Sequence, residues 1–201
     1  ACYMTALCFF VQSLKDLMKR WIVLLRGVNV SGKNKLPMAE FREALMAAGF
    51  SNVQSYIQSG NVVLRSAATA PRHEIEKRVK SAIKSGFGFD IQVMVLTPEY
   101  LLRSMEHNPW GQSFESPNFM FLYFLGAQPE APDLDGLRAV KTDNEKLELI
   151  EDVCYAYAGD GAGRSKMFAR IERSLGVPAT ARNWRTLQKM TDILREDYDH
   201  T

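Results

Sequence analysis

Cysteine and histidine are scarce in this chain of 201 residues, with three of each. Cys2, Cys8 and Cys154 form neither an even set for disulfides nor a metal-ligand spacing, and His73, His107 and His200 stand too far apart to complete one. A disulfide scaffold and a His/Cys metal centre are therefore excluded as organising principles, and a reducing, cytoplasmic setting is expected. No apolar run approaches the roughly 18–20 residues that cross a bilayer, so no membrane partner is expected. Acidic residues are missing from Lys19 to Ala39, which carries Lys19, Arg20, Arg26, Lys33 and Lys35. They are nearly missing from Arg164 to Lys189, where Glu172 alone faces seven basic residues. The acids collect instead between Glu130 and Asp152, eight of them against Arg138, Lys141 and Lys146. A net charge of +2 conceals this division, which suits an anionic partner or solvated faces.

What is present is the material of an ordinary globular protein, 46% hydrophobic and 24% charged, enough to bury a core in one or two small domains. The opening "ACYMTALCFFVQSLKDL" has no basic start, a short apolar centre and no small-residue cleavage site, so it is not a secretory signal. Residues 1–17 are read as a dispensable leader, with Met18 as the natural start.

From there the periodicities alternate. "WIVLLRGVNV" is a strand over Trp21 to Val30 that breaks at Gly27. Met38, Phe41, Leu45 and Ala48 form the apolar stripe of a helix opened by Pro37 and closed by Gly49. Two strands meet at Ser59-Gly60-Asn61, a hairpin. Ile75, Val79, Ala82 and Ile83 mark a second helix ending at Gly86, and "DIQVMVL" alternates as a strand. The order is β-α-β-β-α-β, that of a ferredoxin-like unit over residues 18–96. Residues 97–201 form a second, smaller α+β unit: a helix from Thr97-Pro98, a buried strand in "FMFLYFLG", a short helix over Leu134 to Val140, two strands joined at Glu151-Asp152, and helices in "SKMFARIERSLG" and "ATARNWRTLQKMTDILRE". This half reads as β-α-β-β-α-α, with no residue-level repeat of the first.

"LLRGVNVSGKNK" spells Gly27, four residues, Gly32 and Lys33, the first part of a phosphate-cradling P-loop. That loop needs Ser or Thr on magnesium where this chain has Asn34, a helix that starts at once, and a parallel sheet. Pro37 delays the helix and the hairpin implies antiparallel neighbours, so a P-loop ATPase or GTPase is excluded. What remains is a polar loop, Arg26, Asn29, Ser31, Lys33 and Asn34. It is either a turn whose asparagines bond their own backbone or an anion-contact loop. "TARNWRT" offers a second anion site if a helix starts at Thr180 or Ala181, with Arg182, Arg185 and Lys189 on one face. "GDGAGRSK" is a glycine-rich turn with Ser165 as an N-cap, and the polar residues of "YIQSGNVV" are accounted for by local hydrogen bonds.

Three ordered strings, "LLRGVNVSGKNKLPMAEFREALMAAGF", "VQSYIQSGNVVL" and "TARNWRTLQKM", closely resemble the family catalogued as domain of unknown function 1697, over roughly Lys19 to Leu194. The resemblance implies a small, mainly bacterial, soluble α+β protein. It transfers no catalytic residue. The matching positions are Arg26, Gly27, Asn29, Gly32, Lys33 and Asn34, then Tyr56, Gln58, Ser59, Gly60 and Asn61, then Thr180, Arg182, Asn183, Trp184 and Thr186.

The expectation is a binding module for a phosphate-bearing partner, a nucleotide-like small molecule or nucleic acid. Arg26, Lys33, Arg182 and Arg185 would serve as anion contacts, and Asn29, Asn34 and Asn183 as directional donors. No cofactor or metal is implied. An enzyme on small phosphorylated or carboxylated substrates is the alternative, with Asp160, Glu40 and His73 its only acid–base candidates. A protein-interaction role, basic surface to acidic segment, is a third.

Overall fold

A computed structural model of the chain describes residues 18–30, 32–111 and 116–199; the leader and Ser31 lie outside the described residues. The chain divides into two compact units. The first runs to Pro98 and takes in the residues from Ile193, and the second is Glu99–Asp192.

In the first unit, β1 (Met18–Leu25) lies between β3 (Asn61–Ala67) and β4 (Val93–Leu96), with β2 (Ser51–Tyr56) outside β3, all antiparallel. The order is the βαββαβ expected. β1 is shifted from its expected span: it begins at Met18, which pairs with Ala67, and ends before Arg26 because Gly27 takes φ +72. Period-2 alternation puts Trp21, Val23 and Leu25 on one face with Val62, Leu64, Val93 and Val95. Against them pack Met38, Phe41 and Leu45 of α1 (Met38–Ala47) and Ile75, Val79 and Ile83 of α2 (Arg72–Phe87), the expected stripes. Each such side chain, fully buried, stabilises the fold by about 1.5–3 kcal/mol. The second helix runs past Gly86 to Phe87, since it is Gly88 that turns left-handed, its N–H donating to the Lys84 carbonyl at 3.0 Å. On the edge strand, the register shifts between Ser51 and Gln54, where Asn52 sits at φ +47.

In the second unit, α3 (Pro98–Glu106) precedes β5 (Met120–Leu125), α4 (Leu134–Val140), β6 (Glu145–Ile150), β7 (Val153–Ala158), α5 (Ile171–Leu175) and β8 (Ala179–Asn183). The final helix α6 (Trp184–Asp199) follows directly. One face of this antiparallel sheet packs Tyr123, Leu125, Cys154, Ala156 and Ala179 against Leu137, Met167, Ile171 and Leu175. On the other, the Tyr155 hydroxyl donates to the Ser104 carbonyl of α3 at 2.7 Å, and the Tyr100 and Phe124 rings stand 6.0 Å apart.

The expected β-α-β-β-α-α order is corrected here. "ATARN" is a strand, because Ala179 to Asn183 pair with Leu125 to Phe121 along β5. The unit is thus a second βαββαβ with a helix after it, and its sheet order, β6-β7-β5-β8, repeats β2-β3-β1-β4. The repeat extends to single bonds. Leu25 N–H donates to Gly60 O at 2.8 Å, as Leu125 N–H does to Asp152 O at 3.0 Å. Arg26 N–H donates to Gln92 O at 3.1 Å, as Gly126 N–H does to Pro178 O at 2.8 Å.

Candidate functional site

The Arg26–Lys35 loop leaves the end of β1 and is fixed by bonds far apart in sequence. Asn29, at φ +53, is its hub: Nδ2 donates to Leu36 O at 2.9 Å and to Gln58 O at 2.7 Å, and Oδ1 accepts from Leu36 N–H at 2.8 Å. Asn34, at φ +49, donates to Gly27 O at 2.9 Å, and its own carbonyl accepts from Asn29 N–H at 3.1 Å. Asparagine tolerates this left-handed backbone better than most residues. Both asparagines therefore build the loop, through bonds to the backbone of Gly27, Leu36 and Gln58.

The cations of the loop remain outside. Arg26, Lys33 and Lys35 are exposed, and Arg26 Nη1 donates to Gln92 Oε1 at 3.1 Å, which orients its guanidinium. The Asn29–Gln58 bond ties the loop to the β2–β3 turn. Next to its two ends in sequence stand Val30, 59% exposed, and Ile57, 51% exposed. Ile57 holds φ +49, a conformation that costs a β-branched residue roughly 1–2 kcal/mol. Neither residue is expected at a site from the sequence, whose motif is carried by its polar letters. The one available signal was an aliphatic residue on each side of turn-forming asparagine and glycine. The rest of the turn is local: Asn61 Nδ2 donates to Tyr56 O and Ser59 Oγ, as expected.

The second expected site changes character. The helix begins at Trp184, and Asn183 caps it, its Oδ1 accepting from Thr186 N–H at 2.9 Å. No helix N-terminus stands at Thr180 or Ala181, and Arg182, on a strand, shares no helix face with Arg185 and Lys189. Arg182 is partly buried, donates to Ala181 O at 2.7 Å, and burial pulls its guanidinium down to about 10. By the register of the two sheets, Arg182 opposite Leu122 stands where Leu96 stands opposite Ile22. Thr180 stands likewise where Met94 does. Its hydroxyl is buried without a partner among the described residues, in keeping with a slot that holds an apolar side chain in the first unit. Arg185 is exposed at the start of α6.

The model of the family described as a protein of unknown function, DUF1697, matches residues 18–155. The chain belongs to this family. Among curated proteins none matches. A conserved bacterial protein from Streptococcus pneumoniae has a similar solved structure, with a TM-score of 0.61 and 23% identity over 88% of this chain and 99% of that one. That likeness bears on the α+β fold. The DUF1697 match takes in the Arg26–Lys35 loop and the β2–β3 turn, and it ends before Thr180–Thr186.

Groups with displaced pKa values mark the core of this DUF1697 protein. Burial pushes the Cys154 thiol and the Tyr155 phenol up to about 12 each, and raises Tyr100 and Tyr123 further. The acid–base candidates lie elsewhere: Glu40 and His73 in first turns of α1 and α2, and Asp160 accepting from Asn144 Nδ2 at 3.2 Å. Among the described residues no three His, Cys, Asp or Glu side chains converge to hold a metal, and no helix is long and apolar enough to cross a membrane.

Proposed function

We propose that the protein is a binding module for a phosphate-bearing ligand, held at the Arg26–Lys35 loop. One observation carries the reading: the loop is built to a shape the fold does not require. The second unit joins the equivalent strand and helix, β5 and α4, through the shorter Gly126–Asp133, and closes the equivalent hairpin with Glu151 and Asp152 alone. The first unit instead holds a longer, basic, acid-free loop through the hydrogen bonds of Asn29 and Asn34. A preorganised loop loses little entropy when its cations take up an anion. Arg26, already oriented by Gln92, supplies the planar fork that matches phosphate oxygens, with Lys33 and Lys35 as point charges. Val30 and Ile57 offer the ligand an apolar edge. The setting is a ferredoxin-like unit of a bacterial, cytoplasmic protein.

The test is a thermal-shift screen against nucleotides, sugar phosphates, carboxylates and short RNA, with Lys33→Ala/Lys35→Ala beside the parent. A ligand at 100 times its Kd adds about 2.7 kcal/mol, roughly 5–10 °C in Tm for a chain of this size. The expected result is a shift for one phosphate class that the double substitution removes. A parent that no phosphate compound shifts overturns the reading.

A further inference from the structure

The segment after β7 carries cations that nothing in its own unit neutralises. Arg164, Lys166, Arg170 and Arg173 are all exposed, and none has an ion-pair partner among the described residues. Some helical cations elsewhere are paired. On α2, Arg72 meets Glu76 at 3.7 Å, Arg78 meets Glu74 at 3.9 Å and Lys84 meets Asp90 at 3.4 Å. On α4, Arg138 meets Asp135 at 3.0 Å, and on α6 Lys189 meets Asp192 at 3.8 Å. The equivalent element of the first unit, α2, is thus a partial contrast: carboxylates answer Arg72, Arg78 and Lys84, while Lys77 and Lys80 are exposed without an ion pair among the described residues.

The local backbone sets these cations in a row. Ser165 Oγ caps the turn by accepting from Phe168 N–H at 3.0 Å. Ala169 N–H to Ser165 O, Ile171 N–H to Met167 O and Ser174 N–H to Arg170 O then continue as helical bonds into α5. Met167, Ile171 and Leu175 are buried, and Lys166, Arg170 and Arg173, spaced four and three apart, share the outer side.

We propose that Arg164, Lys166, Arg170 and Arg173 form a docking surface for the sugar–phosphate backbone of nucleic acid, engaged without regard to base sequence. None of these residues belongs to the Arg26–Lys35 loop. Its chemistry is ionic throughout. The exposed large apolar residues among those described are Val30, Met46, Ile57 and Leu102, none of them here, so the surface lacks the apolar wedge that seats a protein in a lipid headgroup layer. It also lacks a stacking platform. The Phe168 ring is engaged with Phe121 at 5.3 Å and Tyr123 at 6.4 Å, which leaves phosphates as the feature read.

Fluorescence anisotropy with a labelled 20-base-pair duplex and a single-stranded RNA, each in two unrelated sequences, tests this between 50 and 200 mM KCl. Three to four neutralised phosphates give a slope of log K against log salt near −3 on the duplex and about −2.5 on the single strand. Affinity should then fall about fifty- to a hundredfold across that range on the duplex and roughly thirtyfold on the RNA, alike for both sequences of each. Arg164→Gln/Lys166→Gln/Arg170→Gln/Arg173→Gln should weaken binding at least tenfold and flatten the slope. Arg72→Gln/Lys77→Gln/Lys80→Gln/Lys84→Gln, which removes the same formal charge from α2, should retain most of both. Unchanged Tm in the first variant confirms that folding is intact. No binding at 50 mM, equal loss in the two variants, strong preference for one sequence, or tighter capture by phosphatidylserine vesicles than by either nucleic acid would each overturn the proposal.

Discussion

Replacing Asn29 by alanine separates a loop held by its hub from a loop that folds on its own. The side chain makes three hydrogen bonds, two with the backbone of Leu36 in a part-buried setting and one, more exposed, to Gln58 O. At about 1 kcal/mol for each Leu36 bond and about half that for the exposed one, their loss removes roughly 2.5 kcal/mol. Alanine must also hold φ +53, which adds about 1 kcal/mol. Asn29→Ala should therefore destabilise the first unit by roughly 3.5 kcal/mol. Asn29→Gly, free of the dihedral cost, should sit about 1 kcal/mol closer to the parent. Urea unfolding at 25 °C with a shared m-value measures both. If alanine costs less than about 1 kcal/mol, or if glycine is the worse of the two, the loop is not organised around Asn29. The ligand reading would then lose its preorganised frame.

Two further outcomes follow from packing and burial. In Gly60→Ala the new Cβ would lie 2.6 Å from Leu25 Cβ and 2.8 Å from Val28 Cγ2 at φ +72, so a loss of about 2–4 kcal/mol is expected in the same urea assay. Gly27→Ala, with open space around it at the same φ, should lose only about 1 kcal/mol, and equal losses would refute the clash. Because burial moves the Cys154 thiol from 9.0 to about 12, its thiolate is about a thousandfold scarcer at pH 8 than in the unfolded chain. Peptide mapping after brief iodoacetamide treatment should find Cys154 unmodified in the native protein and alkylated in urea. The sign for stability follows: the unfolded thiol ionises first, so this contribution is complete below pH 9 and declines as pH rises toward 12, as does that of Tyr155 above 10. A urea midpoint that rose between pH 8 and 10.5 would contradict it.

Where local chemistry decides, the sequence was readable. Pro37 and Gly60 marked boundaries that hold, and the stripes of α1 and α2 point inward as their spacing required. "ATARN" misled because alanine and arginine favour helix and a real helix begins at Trp184. Its strand state comes from Phe121 to Leu125, more than fifty residues away, which no local propensity reports. The internal repeat was hidden for a related reason. Matching positions share a hydrogen-bond register rather than a residue type, so Leu25 answers to Leu125 but Leu96 to Arg182. At the loop, asparagine was legible as a residue for left-handed backbone. Which carbonyls it would bind was not, since Leu36 and Gln58 reach it only through the fold.

The irregularity in β2 bears on how these molecules behave in a crowded solution. A flat outer strand is a template on which a second chain extends the ladder, and repetition of that step gives fibres. Here the register shift between Ser51 and Gln54, with Asn52 turned to φ +47, interrupts the row of donors and acceptors partway along. An incoming strand would find its bonds out of phase after a few residues, which favours a sheet that stops at four strands over one that grows.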